Sequence, residues 1–415
     1  MREIDFIFEG GGAKGMVFVG ALQELAGANR FSPGRLLGTS AGAITATLMA
    51  AGYTPEEMLG PLAEKEPDGR PVFASFLGEP ASFDEASVAA SQIRMLLREL
   101  NLPLLPDTTE ESIDDWIARK LAASTRGRHL FAFLERGGWY AADAFVAWMR
   151  KRLNSGQLGG QPRAFADMTL AQFFQATGRE LTLVAADTTW QRMLLLNHRT
   201  APELPVVYAA RMSMSVPLLW EEVVWKSEWG PYHTWDAQQG RLVSNEMTGH
   251  EIVDGGLLSN FPIALFMASR PDVSAVMGEP RAKNVLGLLI DETLPVPDRP
   301  TRPSAGGGLA ASLGGFAVVR RLQQLANTAT CAHDNMAKAV FAANVVRLPA
   351  GGYGTTQFDM TDSEREALLN AGRGAMREFL ATQTVLEAAG EGFDFSVSDA
   401  AKAAANAAAG TILGP

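Results

Sequence analysis

Leu36-Leu37-Gly38-Thr39-Ser40-Ala41-Gly42-Ala43-Ile44 reads as a buried strand, a sharp turn and the first residues of a helix. Ser40 stands at the apex, with Gly38 and Gly42 two residues to either side. A serine at such a strand-to-helix turn sits on strained backbone, with its hydroxyl pushed clear of the sheet. Glycines on either side leave room for the turn, because they carry no side chain. The helix that follows points its positive end at the serine, and that end favours a developing negative charge. Ser40 is therefore the candidate nucleophile. An ordinary glycine-bordered turn is the alternative, and five residues alone do not separate the two.

Upstream, Ile4 to Phe8 is a short apolar run, interrupted by Asp5, that suits an inner strand. It runs into Gly10-Gly11-Gly12-Ala13-Lys14-Gly15, and helical spacing follows from Met16 to Leu25. Strand, glycine loop and helix together place backbone N–H groups around an anion. Three readings fit such a loop. Glycines at 10, 12 and 15 match a dinucleotide fingerprint, but that fold wants a carboxylate about 20 residues on, and Arg30 to Arg35 holds none. A nucleotide-hydrolase loop needs Gly-Lys-Ser/Thr, whereas Lys14 is followed by Gly15. An oxyanion hole needs converging N–H groups beside a nucleophile. One helix separates the first strand from the Ser40 strand, so the two form a βαβ unit whose loops leave the same sheet edge.

Downstream, the small-residue helix from Ala43 to Ala51 ends at Gly52 and Pro55. Residues 60–180 change character, with Pro, Gly and polar turns between amphipathic segments such as Ser91 to Leu100 and Ser112 to Ala123. Two apolar patches stand out there, Leu102 to Pro106 and His129 to Leu134. They read as core packing or as a lid or acyl-chain channel. Strand-like sequence returns at Glu180 to Asp187 and Met193 to Asn197. Ala209 to Pro217 suits a helix lying close to another element. Glu251-Ile252-Val253-Asp254-Gly255-Gly256 reads as a strand end, an acid and two glycines. Asp254 is either a solvated turn residue or a general base. Val285 to Asp291 is an inner strand, 295–308 a mobile loop, 309–343 mostly helical, and Val345 to Leu348 a late strand. Thr361-Asp362-Ser363-Glu364 is a capping box opening a helix to about Ala381. The alanine-rich stretch Ala400 to Ala409 reads as weakly anchored.

The 415 residues allow a large core and one or two domains. Apolar residues make up 47% of the chain, which fits a globular protein. With 36 basic and 46 acidic residues the net charge is −10, which argues against a nucleic-acid partner. It also gives no electrostatic attraction to anionic membranes, so membrane contact rests on apolar surface. Cys331 is the sole cysteine, which leaves no intrachain disulfide and no zinc-type spacing. No secretory leader and no stretch of 18 apolar residues is seen, so the expectation is a cytoplasmic protein.

Four of these motifs, in order and with compatible spacing, resemble those of the patatin-like phospholipases. The loop Gly10-Gly11-Gly12-Ala13-Lys14-Gly15 is similar to that family's oxyanion loop, and Gly38-Thr39-Ser40-Ala41-Gly42 to its nucleophile elbow. Ala210-Arg211-Met212-Ser213-Met214-Ser215-Val216-Pro217 resembles its mid-domain Ala-x-x-Ser-x-Ser-x-Pro segment. Asp254-Gly255-Gly256, with Asn260 and Pro262, resembles its aspartate motif. The resemblance covers roughly residues 3–380 apart from 60–180. It implies a three-layer α/β/α fold with a mostly parallel central sheet and a helical insertion. The catalytic domain would span 1–381, followed by an alanine-rich tail at 382–415, helical or frayed.

The resemblance further implies a Ser40–Asp254 dyad and an oxyanion hole from Gly10, Gly11 and Gly12, chiefly the last two. Lys14, Gly15, Gly38, Gly42, Gly255 and Gly256 support the motifs. The implied reaction is ester hydrolysis in phospholipids or lysophospholipids, with transient membrane contact and no metal or cofactor. Two other readings stand beside it. One is an effector on the same fold, silent until a ligand or partner activates it, or delivered into another cell. The other is a Ser-His-Asp esterase of small soluble esters. Of His129, His198, His233, His250 and His333, only His333 follows Asp254, the chain order such a triad uses.

Overall fold

A computed structural model describes residues 2–27, 31–93, 95, 120, 123–280, 284–300, 340–388 and 396–413. The main sheet is built from β1 (Arg2–Phe8), β2 (Phe31–Thr39), β3 (Leu181–Asp187), β4 (Arg192–Leu196), β5 (Val223–Val224), β6 (Glu251–Asp254), β7 (Asn284–Pro295) and β8 (Val345–Gly351). Their order is β8-β7-β1-β2-β3-β6-β5, with β4 also paired to β3. The pairs β8–β7, β7–β1, β1–β2 and β2–β3 are parallel, and the pairings of β4, β5 and β6 are antiparallel. The expected βαβ unit and mostly parallel sheet are both present.

The helices that position the site are α1 (Met16–Gly27), α2 (Ala41–Ala50), α3 (Pro55–Ala63), α4 (Thr125–Glu135), α5 (Asp143–Leu153), α6 (Val206–Ser213), α7 (Ala264–Met267), α8 (Asp362–Ala388) and α9 (Asp399–Leu413). Strand residues alternate between the two faces of the sheet. Phe6, Phe8, Leu36, Leu183 and Leu288 face one core, shared with α1, α2, α5 and α8. Ile7, Leu37, Val184 and Leu289 face the other, shared with α7 and α9. Helices, sheet, helices: the three layers follow from β strands with apolar residues on both faces. Asp5, within β1, is buried and satisfied by Arg35, whose amide and Nε each donate to it at 2.7 Å.

The expected capping box at Thr361 forms, and Thr54 and Thr169 head two more. Thr54 and Glu57 exchange bonds of 3.1 and 2.9 Å at the start of α3, with Pro55 in its first turn. Thr361 and Glu364 do the same at α8, at 3.2 and 2.8 Å. β7 extends beyond the expected Asp291 to Pro295. The tail corrects an expectation. α9 is not weakly anchored, because Ala401, Ala405 and Ala409 repeat every four residues on one face and are buried against α7. Their methyl groups permit close approach where a longer side chain would hold the helices apart.

The patch at 129–134 lies in α4, where Phe131 packs with Phe83, Val88 and Ile93 in a small separate core. Phe131 follows the packing reading, while Leu130 and Leu134 of the same helix are exposed. The patch at 102–106, most of the helical reading for 309–343, Cys331 and His333 lie outside the described residues. Among those described, no helix is long and apolar enough to cross a membrane.

Candidate active site

Register explains why Ser40 and Asp254 meet. Leu183 to Asp187 of β3 pair with β4 along one edge. The opposite edge is shared. β2 takes its first part, up to Thr39 beside Val184, and β6 takes the rest, from Ala185 to Asp187. β2 runs parallel to β3 and β6 antiparallel, so the two strands approach each other head-on. Asp254, paired with Ala185, ends β6 where Ser40 follows the end of β2. Residues more than two hundred positions apart are thereby brought to one point.

Ser40 adopts φ 53° and ψ −120°, backbone that side chains other than glycine rarely accept. Its surroundings hold it there. A Cβ on Gly38 would lie 2.3 Å from the Gly42 carbonyl oxygen, and one on Gly42 would lie 2.2 Å from that of Phe8. The Ser40 amide donates to the Ser213 hydroxyl at 3.2 Å, and that hydroxyl donates to the Val184 carbonyl at 2.6 Å. Ser213, at the end of α6, thus pins the strained turn to β3. Two residues on, the Ser215 carbonyl accepts the Asp254 amide at 2.9 Å. The Ser215 hydroxyl donates to the Arg211 carbonyl at 2.6 Å. The Arg211 guanidinium reaches back to that hydroxyl and to the Glu221 carbonyl. Burial brings the Arg211 pKa down to about 10.

Ser40 is 6% and Asp254 3% exposed, so the pair is almost dry. Burial pushes the Asp254 carboxyl up to about 7, against hydrogen bonds from the Ser40 hydroxyl and the Gly256 amide that favour its charged form. Gly256 N–H donates to Oδ1 at 2.7 Å. Oδ2 has no hydrogen bond of ordinary geometry among the described residues, so the contact with Ser40 is a loose one. Catalytic hydrogen bonds are often long without substrate and tighten when it arrives.

The glycine loop lies beside this pair. A Cβ on Gly10 would come within 3.3 Å of the Ser40 Cβ. One expected donor is corrected. The Gly10 amide is spent on the Asn260 carbonyl at 3.1 Å, so it is not an oxyanion donor. Gly11 and Gly12 amides donate to no acceptor among the described residues. Gly12 has φ +56° and sits against the Thr355 carbonyl. Gly15 packs against Ala41 and Gly255 against Val184. Lys14 turns away from the serine, to Glu292 and to the Thr355 hydroxyl at 2.9 Å.

An apolar cavity, partly open to solvent, has Ser40 in its wall. Its wall follows one face of α2, through Ala41, Ile44, Thr45 and Leu48, and one of α1, through Met16 and Val19. Leu62, Phe73, Phe76 and Trp148, from between residues 60 and 180, line the rest, with Met58, Met214, Trp220 and Phe358. Residues between 60 and 180 therefore contribute to this apolar cavity, and none of them lies in 129–134. Each described histidine is engaged elsewhere: His129 with the Trp139 carbonyl, His198 with Glu180, His233 with Ser244 and His250 with Asp187.

The sequence pattern described as patatin-like phospholipase matches residues 6–267, more than half of the chain. The chain belongs to the patatin-like phospholipase family. That family is one of lipid hydrolases. This patatin-like chain is 27% identical over 384 residues to YqhO, an uncharacterized protein of Bacillus subtilis (strain 168), covering 91% of the chain and 98% of YqhO. Among solved structures it is similar to VipD of Legionella pneumophila, at 17% identity and a TM-score of 0.43, over 92% of the chain and 67% of VipD. It is also similar to ExoU, solved with SpcU from the type III secretion system of Pseudomonas aeruginosa, at 15% identity and a TM-score of 0.35. That match covers 92% of the chain and about half of the solved one, 52%.

Several residues of this patatin-like site carried no role in the sequence reading. Ser213 and Ser215 lie in the mid-domain segment, and Asn260 follows the aspartate motif. Their hydroxyl-rich or polar positions in apolar surroundings were the available signal. Thr355 had none.

Proposed function

We propose that this protein hydrolyses the carboxylic ester bonds of phospholipids or lysophospholipids through an acyl-enzyme on Ser40. The observation that carries the reading is the Ser40 hydroxyl, in the wall of an apolar cavity, against a buried Asp254 carboxylate. A serine hydroxyl is a weak nucleophile and needs a base beside it. Asp254 takes the proton as Ser40 Oγ bonds to the ester carbonyl carbon. The carbonyl oxygen becomes an oxyanion and accepts hydrogen bonds from Gly11 and Gly12 N–H, each worth about 3 kcal/mol in the transition state. Collapse breaks the ester C–O bond, and Asp254 returns the proton to the leaving lipid alcohol. Water then repeats the sequence. Asp254 takes its proton, the fatty acid leaves, and Ser40 recovers its hydrogen.

The apolar lining of the cavity favours a lipid acyl chain over a small polar ester. Thr355 and Phe358 support a catalytic unit reaching to about residue 381, past the matched segment. The test is covalent labelling. A fluorophosphonate with a long alkyl chain is expected to modify Ser40, read by mass spectrometry of the peptide, and to lose at least 100-fold in rate in Asp254→Asn. Labelling elsewhere, or equal rates in both proteins, overturns the assignment.

A further inference from the structure

We propose that Thr355 is a positioning residue for the oxyanion donors, supplied by a segment beyond the part of the chain that carries the family's pattern. The proposal rests on the reading of Gly11 and Gly12 as those donors. Thr355 lies between β8 and α8, far along the chain from the glycine loop. It nevertheless holds that loop at two atoms. Its carbonyl accepts the Ala13 amide at 2.9 Å, and its hydroxyl accepts from the Lys14 ammonium at 2.9 Å. Gly12 presses so closely on it that a Cβ there would lie 2.2 Å from the Thr355 oxygen.

On the other side, the Asn260 carbonyl holds the Gly10 amide. The loop is thus clamped at residue 10 from the segment after β6 and at residues 13 and 14 from Thr355. Between the clamps lie only Gly11 and Gly12. Two glycines have little stiffness of their own, so the direction of their N–H groups is set by what holds the flanks. The Lys14 side chain is 2% exposed, and its partners are the Thr355 hydroxyl and Glu292, itself mostly exposed. A buried ammonium that loses a partner shifts towards those that remain. Loss of the hydroxyl therefore moves Lys14, and with it the peptide that aims the Gly12 amide. Misplacement by about 1 Å costs on the order of 100-fold in rate when an interaction acts in the transition state.

The experiment compares wild type, Thr355→Val and Thr355→Ser. Valine keeps the shape and removes the hydroxyl, and serine restores it. The readouts are kcat and KM on a long-chain ester, melting temperature, and inhibition by a long-chain trifluoromethyl ketone. Ser40 adds to the ketone carbon, Asp254 receives its proton, and the resulting oxyanion occupies the donors. In Thr355→Val, kcat is expected to fall and the ketone's inhibition constant to rise together, by about tenfold or more. KM is expected to stay within about twofold, and Thr355→Ser to retain most activity. Wild-type kcat and inhibition in the valine variant overturn the proposal. So does a loss confined to KM and melting temperature, which marks Thr355 as packing only. A wild type that neither hydrolyses the ester nor binds the ketone overturns the proposed function and this inference with it, a result distinct from the other two.

Discussion

Asp254 is a carboxyl group whose environment holds its proton affinity near neutrality. Its pKa rises from 3.8 to about 7 because burial penalises the anion more than Ser40 and Gly256 relieve it. A base must be ionised to act, so kcat/KM is expected to rise with pH through about 7 and to fall about tenfold per unit well below it. A flat profile between pH 5 and 8 contradicts Asp254 as the base. The same shift bears on stability. Between pH 3.8 and about 7 the folded state binds a proton that the unfolded state has released. Stability is therefore lost as pH rises through that window, by up to about 4 kcal/mol, and the loss is complete above it. Asp254→Asn removes the buried charge. It is expected to melt above the wild type at pH 8, with the gap closing towards pH 4, while activity drops on the order of 10⁴-fold. Ser40 and Asp254 were legible in the sequence because both sit on short motifs with glycine neighbours. Ser213 was not, since its bond to the Ser40 amide depends on where α6 ends relative to β2.

At the scale of elements, the site is the meeting of β2 and β6 on one edge of β3, with α2 leaving from the junction. The glycines that permit this meeting have no slack. Gly42→Ala places a methyl group 2.2 Å from the Phe8 carbonyl oxygen, so α2 must shift away from β1. The expected outcome is a loss of about 1–3 kcal/mol in urea unfolding, with activity reduced more than stability. α2 also lines the cavity, from Ala41 to Leu48. From Ser40 to Leu48 the helix advances about 12 Å at 1.5 Å per residue. Leu48→Trp fills the far end of that wall. It is expected to cut activity on long-chain esters at least tenfold while sparing a four-carbon ester. Equal effects on both mean that the chain does not lie along α2. The strands and helices around Ser40 could be read from periodicity, since apolar runs and glycine turns are local signals. The head-on approach of β2 and β6 is a matter of register between distant strands, and no local pattern encodes it.

The whole molecule wraps its site with segments from both ends of the chain. The glycine loop follows the first strand, part of the cavity wall comes from between residues 60 and 180, and Thr355 and Phe358 come from beyond β8. Even α9, read from its alanines as loose, is docked with Ala405 fully buried. Alanine offers little hydrophobic contrast to a sequence pattern, so its four-residue spacing was easy to pass over. Ala405→Asp puts an unpaired carboxylate in that interface and is expected to lower the melting temperature by several degrees. Unchanged melting returns the tail to a loosely held segment. The central claim concerns what this assembled site does. Its most direct test is fatty-acid release from mixed phospholipid vesicles by the full chain, with Ser40→Ala and Asp254→Asn run beside it without added metal. Release by the wild type, absent from both variants, is the predicted result. Release that persists in Asp254→Asn at the wild-type rate would contradict the account, because the buried carboxylate would then not be the group that activates the serine.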